Sequence, residues 1–479
     1  MGWEDDLAAE TPRGLLGRAD QVPAAHWTDP GNLGPAWTYS RRSILLGFRD
    51  GKALGCGDDR HLMLVAGSRA GKGLSFVIPN LLLYEGSVLA IDPKGELANI
   101  TVAQRARALR QDVFVVDPFD ISGEQTRSVR SGFNPLLEID PASKTAVDDA
   151  ALLADALIID DGGDGHWTNA ARELVKGLIL YALLQPEKRR HLGFVRAFFR
   201  AGGTIIDGKS INGQETILND MKYQEDAFEG VLAGVASGML NKSEREMAAI
   251  ISAADVQLGF LDSQPLMDCL KDSRFRMADL KRKKTTVYLC LPAARMSTHA
   301  KWFRMIVTLA LLMCEREPVK PDPPLLLLLE EFPVLGHMRS IEAAAGQIAG
   351  YGVKIWTVLQ DLTQLQRHYG KSWETFMGNS GATVFFGNAD NTTLEYVSKK
   401  LGTIGFDRRK EASASPSQRL AGAKVFDEQL QTTRLLEPHE VEMMFARERN
   451  RALVLYPGIS PLVVRRANFR EDDAFKGMT

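Results

Sequence analysis

The chain has 479 residues, 45% of them hydrophobic and 25% charged, with a formal net charge of −2. That length supports two or three domains and a sizeable core, and the balance is that of a soluble globular protein. The near-neutral charge excludes a global basic field, so any nucleic-acid binding must come from local patches or an assembled channel. Cys56, Cys269, Cys290 and Cys314 are too dispersed for a metal knuckle, and the eight histidines show no ligand spacing; a reducing compartment fits best.

In chain order, residues 1–42 are rich in Pro, Gly, Asp and Trp without a sustained period, and read as a loose N-terminal arm. The acidic start "MGWEDDLAAE" has no apolar signal core. The longest apolar run, "FRMIVTLALLMC" (303–314), contains Arg304 and falls short of the roughly 18 residues of a membrane span. It reads as a buried core helix, and the chain as cytoplasmic. "SILLGF", "RDGK" and "ALGCG" predict a hairpin turned at Asp50-Gly51. "HLMLVAG" (61–67) is a buried strand ending in a turn, followed by a helix from about Gly71. "SVLAIDP" (87–93) and "DVFVVDP" (112–118) are further buried strands separated by helical sequence. That alternation predicts an α/β fold with a mainly parallel sheet.

From 145 to 272 the spacing is helical and β-runs are almost absent, so an all-α domain is expected there as an insertion. Strands resume with "TTVYLCLP" (285–292), "PLLLLLEEF" (324–332), "VKIWTVLQ" (353–360), "ATVFFGN" (382–388) and "ALVLYPG" (452–458). The nucleotide-binding unit is thus expected over 43–144 and 273–479. Residues 407–424 read as a mobile surface loop. "DDGGDG" (160–165) reads as a helix–helix loop rather than a metal loop, lacking the later bidentate Glu. "KRKK" (281–284) reads as a solvated turn, with a DNA-channel role the lesser alternative.

The chemistry concentrates in three places. "VAGSRAGKGLSFVIPNLL" (65–82) has the strand–loop–helix form in which backbone N–H groups at a helix N-terminus cradle phosphate. Gly71 lets the backbone approach, and Lys72 supplies charge to the β- and γ-phosphates. Two positions depart from the usual pattern: Ala66 stands where the first glycine belongs, with Gly67 able to supply the turn, and Gly73 stands where a hydroxyl belongs. Ser75 does not substitute, since two residues along a helix is about 200° around. Glu330 and Glu331 end a run of five leucines at the edge where open α/β sheets bind ligands. In nucleotide hydrolases the first such acid orients magnesium and the second polarises the attacking water; the alternative is a solvated acidic turn. Gln360 ends another strand and can bond the lytic water or a γ-phosphate, or simply cap the strand. Asp92-Pro93 and Asp117-Pro118 tip two more strands, as helix caps or as direct participants.

Taken in order, "GSRAGKGLSFVIPNLL", "AIDPKGEL", "GFNPL", "HWTNAARELVKGLI", "TVYLCLP", "LLLLLEEFPVLG", "AGYGVKIWTVLQDLTQLQRHYG", "GNSGATVFFGNADNTTLEYVSKKLG" and "RLLEPHEVEMM" span residues 43 to 475 and resemble the type IV secretion coupling proteins, the conjugative DNA-transfer ATPases of the TraG/TraD kind. The resemblance implies a RecA-like P-loop domain with a helical domain inserted between its strands. It also implies a homo-hexameric ring with ATP and Mg²⁺ at subunit interfaces and single- or double-stranded DNA in a central channel. Relaxase and type IV secretion channel components would be partners, with a possible peripheral place at the inner membrane through them. By matching motifs, Ala66, Gly67, Ser68, Arg69, Ala70, Gly71, Lys72, Gly73 and Leu74 form the cofactor-binding loop. Glu330 is the magnesium-associated acid, Glu331 the catalytic base and Gln360 the γ-phosphate sensor, giving a DNA-stimulated ATPase. The chain departs from the family in three ways. It shows no N-terminal membrane helices: either it is a naturally membrane-anchor-free member or an anchor has been removed, and its native-looking start favours the first slightly. Glu330 replaces the usual Asp, one methylene longer. No arginine sits at an obvious finger position; Arg339 and Arg367 are candidates, with a surface role favoured. The alternative reading is an ATP-binding adaptor that recruits relaxase or protein substrates without strong motor activity; a third is a soluble relative acting on DNA in plasmid mobilisation or defence without a secretion channel.

Overall fold

A computed structural model of the protein describes residues 25–160, 165–206, 209–412 and 425–479. Strands β1 (Ile44–Arg49) and β2 (Lys52–Cys56) form the expected hairpin, with Asp50 and Gly51 both at positive φ, the backbone that a tight two-residue hairpin turn demands. β3 (His61–Ala66), β4 (Val88–Asp92) and β5 (Asp112–Val116) follow. The short β6 (Gly203–Ile206) and β7 (Lys209–Asn212) come next, then β8 (Thr285–Cys290), β9 (Leu325–Leu329), β10 (Val353–Leu359) and β11 (Ser380–Phe386). β12 (Thr403–Ala412), β13 (Val425–Arg434), β14 (Arg451–Leu455) and β15 (Leu462–Arg465) complete the set.

Seven strands run parallel in the order β11-β3-β10-β9-β4-β8-β5. From β11 the sheet continues antiparallel through β14, β15, β1 and β2. The parallel strands read as unbroken apolar runs because both faces are covered. Alternation along β9 sends Leu325, Leu327 and Leu329 into one core and Leu326 and Leu328 into the other. Each such leucine contributes about 1.5–3 kcal/mol. The first core is closed by the helix Met296–Arg316, through Trp302, Phe303 and Ile306, and by helices of the insertion. The second is closed by Ile78–Leu83 and Glu96–Ala103.

Between β5 and β8 the chain forms six longer helices among the described residues: Ala146–Leu157, Gly165–Leu183, Leu192–Arg200, Gly213–Lys222, Val231–Leu240 and Glu244–Leu258. This region is not all-α, because β6 and β7 pair antiparallel within it. Four-residue strands are too short to print a period of two, and Asn212 ends the ribbon by capping the next helix through Gln214 N (3.0 Å).

Three other expectations change. β12 and β13 pair antiparallel from Thr403↔Arg434 to Ala412↔Val425, so residues 407–412 of the expected loop are a strand, and 413–424 lie outside the described residues. A ladder partner a dozen residues away leaves no mark in a local window. Residues 25–42 are fixed rather than loose: Ala25 N donates to Thr403 O (3.1 Å), Thr28 N to Pro461 O (2.8 Å), and Trp37 packs edge-on against Tyr456 at 4.8 Å; residues 1–24 lie outside the described residues. In "KRKK", Lys281 is 3% exposed and donates through Nζ to the carbonyls of Cys314 (2.6 Å) and Glu317 at the end of the helix Met296–Arg316. It caps a helix C-terminus, where a cation meets the dipole and the orphan carbonyls. Of "DDGGDG", residues 161–164 lie outside the described residues. The apolar run 303–314 is the buried core helix expected, and among the described residues no helix is long and apolar enough to cross a membrane.

Candidate nucleotide site

The phosphate loop leaves β3 between β10 and β11. Ala66 is the last residue of that strand, fully buried in the second core. Gly67 is required by a close approach, since a Cβ there would lie 1.8 Å from Gly387 O. The turn itself is made by Arg69 (φ 56°) and Gly71 (φ 94°), left-handed conformations that cost little for glycine and more for arginine. Arg466, just past β15, braces the loop from behind. Its Nη1 donates to Ala70 O (2.7 Å), and its guanidinium lies 4.6 Å from the Phe386 ring; burial holds its pKa down to about 10.

Ser68 through Leu74 line a cavity of about 690 Å³. The helix opens with a π-helical turn, Gly73–Val77, before Ile78–Leu83, so the first N–H groups, which lack intrahelical acceptors, belong to residues of that wall. A Cβ built on Gly73 meets nothing within 4 Å. Ser75 is buried behind the loop, off the lining, its Oγ 3.8 Å from where a Cβ on Gly71 would be.

Two strand ends place the polar groups opposite. β9 ends at Leu329, Glu330 follows, and the chain reverses at Glu331 in the left-handed region (φ 52°, ψ 42°) before the turn Phe332–Leu335. That reversal aims Glu331 across the cavity. Lys72 Nζ lies 3.4 Å from Glu331 Oε1, and Gln360 Nε2 donates to Glu331 Oε2 at 3.1 Å. Gln360 is held between the end of β10 and Asp361, which caps the helix Leu362–Tyr369 through Gln364 N (3.0 Å). Asn388 fixes the Gln360 carbonyl from β11's end (3.0 Å). One carboxylate thus joins the loop lysine to the glutamine.

Glu330 lines the same cavity, and its pKa is pushed up to about 8 by burial first and the Asp92 carboxyl second, against Lys72; Glu331 adds to the rise and Lys94 opposes it. Asp92 is fully buried at the end of β4, where it accepts from Ala98 N (2.8 Å) and Lys94 N (3.3 Å). Burial raises it to about 6 despite those bonds. Asp92 therefore caps a helix and borders the cavity. Asp117 does neither: it closes the turn after β5 by accepting from Ser122 N (2.8 Å) and Oγ (2.6 Å), outside the cavity lining. Arg339 and Arg367 are also outside it.

Among the described residues no group of three or more His, Cys, Asp and Glu could hold a metal alone. The donor set fits magnesium carried in with a nucleotide, which keeps most of its waters and takes one or two carboxylates beside the phosphates. Sequence reading missed three walls of the cavity: Lys94 and Glu96 on the β4 turn, Ala293, Met296 and Ser297 after β8, and Phe469 with Arg470. Lys94 was legible in "DPKGEL". Phe469, whose N donates to Leu74 O (3.4 Å), reaches the loop from nearly 400 residues away and leaves no local signal.

The chain is 29% identical to the protein VirD4 of Rhizobium radiobacter over 94% of this chain and 64% of that protein. It is 27% identical to the conjugal transfer protein TraG of Escherichia coli over 72% of this chain and 55% of that one. The chain spans less than two thirds of the length of these curated relatives. In structure it resembles the bacterial conjugative coupling protein TrwBdeltaN70 in complex with sulphate, with a TM-score of 0.67 at 16% identity over 95% of each chain. It also resembles the plasmid coupling protein TrwB in complex with ADP and Mg²⁺, at 0.65 and 15% over 96% and 95%. The fold is therefore the one these coupling proteins share, a RecA-like sheet with a helical insertion. Residues 27–478 match the family described as Type IV secretory system Conjugative DNA transfer, and the chain belongs to that family.

Proposed function

We propose that this chain is an ATP-dependent coupling motor that recruits or moves DNA for conjugative transfer through a type IV secretion channel. The observation that carries the reading is the bridge Lys72–Glu331–Gln360 across the cavity at the sheet's C-terminal edge. Lys72 would hold the β- and γ-phosphates, and Gln360 would meet the γ-phosphate or the attacking water. Glu331 would accept that water's proton as it attacks phosphorus, releasing ADP and phosphate. Before nucleotide enters, Glu331 is engaged by both neighbours; a γ-phosphate that draws Lys72 and Gln360 to itself frees the base. Phosphate loading and base activation are then one event. Glu330 would be the magnesium-associated carboxylate, and the metal would supply charge neutralisation at the phosphates.

The same reading divides the chain into an arm (1–42), a nucleotide-binding domain (43–144 and 273–479) and an inserted helical domain (145–272). It includes assembly as a homo-hexamer, partnership with a relaxase and channel components, and a cytoplasmic place, peripheral to the inner membrane through those partners. The adaptor reading, in which ATP binds and is barely hydrolysed, is favoured by two features: Gly73 has no hydroxyl for the metal, and burial pushes the Glu330 carboxyl up to about 8.

The test is ATP hydrolysis with and without single-stranded DNA. Wild type is expected to turn over faster with the strand and Lys72→Ala not at all. Glu331→Gln should lose roughly 10²–10⁴ in rate while still binding ATP. Tight binding with negligible, unstimulated turnover in wild type supports the adaptor, and an undiminished rate in Glu331→Gln removes the base assignment.

A further inference from the structure

Beyond the nucleotide cavity lies a second one of about 850 Å³, between the helical insertion and the segment that follows the acidic strand. The two share Ser297 and Val334 as lining. Its wall is cationic. Arg339 and Arg367 are exposed on it and neither forms an ion pair among the described residues, although the Glu342 carboxylate one turn along the helix feels the Arg339 charge. Arg304 lies deeper, 7% exposed, with Nη1 on the carbonyls of Leu335 (2.6 Å) and His337 (2.7 Å) and with the Asp155 carboxylate and the Arg172 guanidinium both acting on it. Among the described residues, the acids lining it are Asp155, paired with Arg172 (2.9 Å), and Asp160. Two imidazoles, His337 and His368, complete the motor side; His337 is held at 3.0 Å by Glu342 and set edge-on to Tyr369.

We propose that this crevice binds the phosphodiester backbone of single-stranded DNA. The proposal rests on the coupling-motor reading above and adds to it where the strand is held. Unpaired arginines beside accessible imidazole rings are the chemistry of a strand site: guanidinium for phosphate, flat rings for bases. The site also has a short mechanical route to the chemistry. Glu331 opens the turn Phe332–Leu335, and Gly336, His337, Met338 and Arg339 follow directly into the second cavity. A shift of Glu331 on γ-phosphate binding therefore displaces the backbone that carries Arg339, and strand binding there biases Glu331 in return.

The experiment uses the full chain, a fluorescein-labelled oligo-dT and anisotropy at several salt concentrations, with Arg339→Ala/Arg367→Ala beside wild type. The double variant is expected to bind the strand at least about tenfold more weakly. The slope of log K against log salt should fall by about 1.4, since each lost single-strand phosphate contact removes about 0.7. Basal ATP turnover and elution volume should be unchanged, and strand stimulation lost. Equal affinity and slope in the double variant overturn this site while leaving the motor reading in place. Equal competition by duplex overturns the single-strand assignment. A changed oligomeric state places the arginines at a subunit contact instead and also overturns the site. Lost strand binding in the variant together with unstimulated hydrolysis in wild type keeps the site and removes the motor. Should the double variant fail to fold, Arg367→Gln alone, on the exposed face of its helix, is expected to lower the slope by about 0.7.

Discussion

At the scale of single residues, the proposed function makes the grip on magnesium depend on Gly73 and Glu330. The open space around Gly73 means that a side chain can be added there without a clash. Gly73→Ser is expected to lower the Mg²⁺ concentration needed for half-maximal ATP turnover by several-fold, because it restores the hydroxyl that phosphate loops normally offer the ion. An unchanged magnesium titration would show that the hydroxyl has no place to act. Glu330 makes a separate prediction in the nucleotide-free protein. Its carboxyl is raised from about 4.5 to about 8, so between those values the folded chain holds a proton that the unfolded chain has lost. Its contribution to stability therefore declines as pH rises through that window. Melting temperature measured from pH 5 to 8 should fall less steeply in Glu330→Gln than in wild type, and parallel curves would refute the shift. Lys72 was legible in sequence from the Gly-Lys step after a buried strand, and Glu330, Glu331 and Gln360 because they sit at the ends of apolar runs. That Glu331 holds both Lys72 and Gln360 was not, because it depends on a left-handed reversal at Glu331 and on the lateral order of three strands.

At the scale of elements, the sheet was legible strand by strand where strands are buried on both faces. Five leucines in a row read as β9 because no helix face or half-exposed strand needs every position apolar. The elements that escaped were short or polar: β6 and β7, the β12–β13 ribbon, and β15. "KRKK" is exposed at Arg282, Lys283 and Lys284, as expected, and departs only at Lys281. Its composition says surface, yet Lys281 is buried, because the end of a neighbouring helix presents two carbonyls that only a donor in that spot can satisfy. Lys281→Ala should then cost about 2 kcal/mol, the price of leaving buried acceptors unmet, read as a lowered midpoint in urea unfolding. A midpoint unchanged from wild type would mean that water replaces the ammonium there.

At the scale of the whole molecule, the first cavity and the cationic crevice share Ser297 and Val334 as one wall, where helices from between β5 and β8 approach the sheet's edge. A motor needs such a joint, since energy released at phosphate must reach a strand-holding surface. Assembly belongs at this scale too. ATP with Glu331→Gln, which holds nucleotide without turnover, is expected to shift the chain to a larger species in light scattering than ATP with Lys72→Ala. Identical masses would separate nucleotide state from oligomerisation.

The sequence by itself determined which strands are buried, which loop bears the lysine and which acids tip the sheet, because burial and phosphate binding impose local patterns of residue type. Only the tertiary structure decided that Gly67 is fixed by Gly387, that Arg466 and Phe469 return to the loop from the far end of the chain, and that Asp117 stays out of the site while Asp92 borders it. It also decided that Arg339 and Arg367 face a second cavity. Those are distances between segments far apart in the chain, and sequence spacing carries no information about them until the strands are ordered side by side.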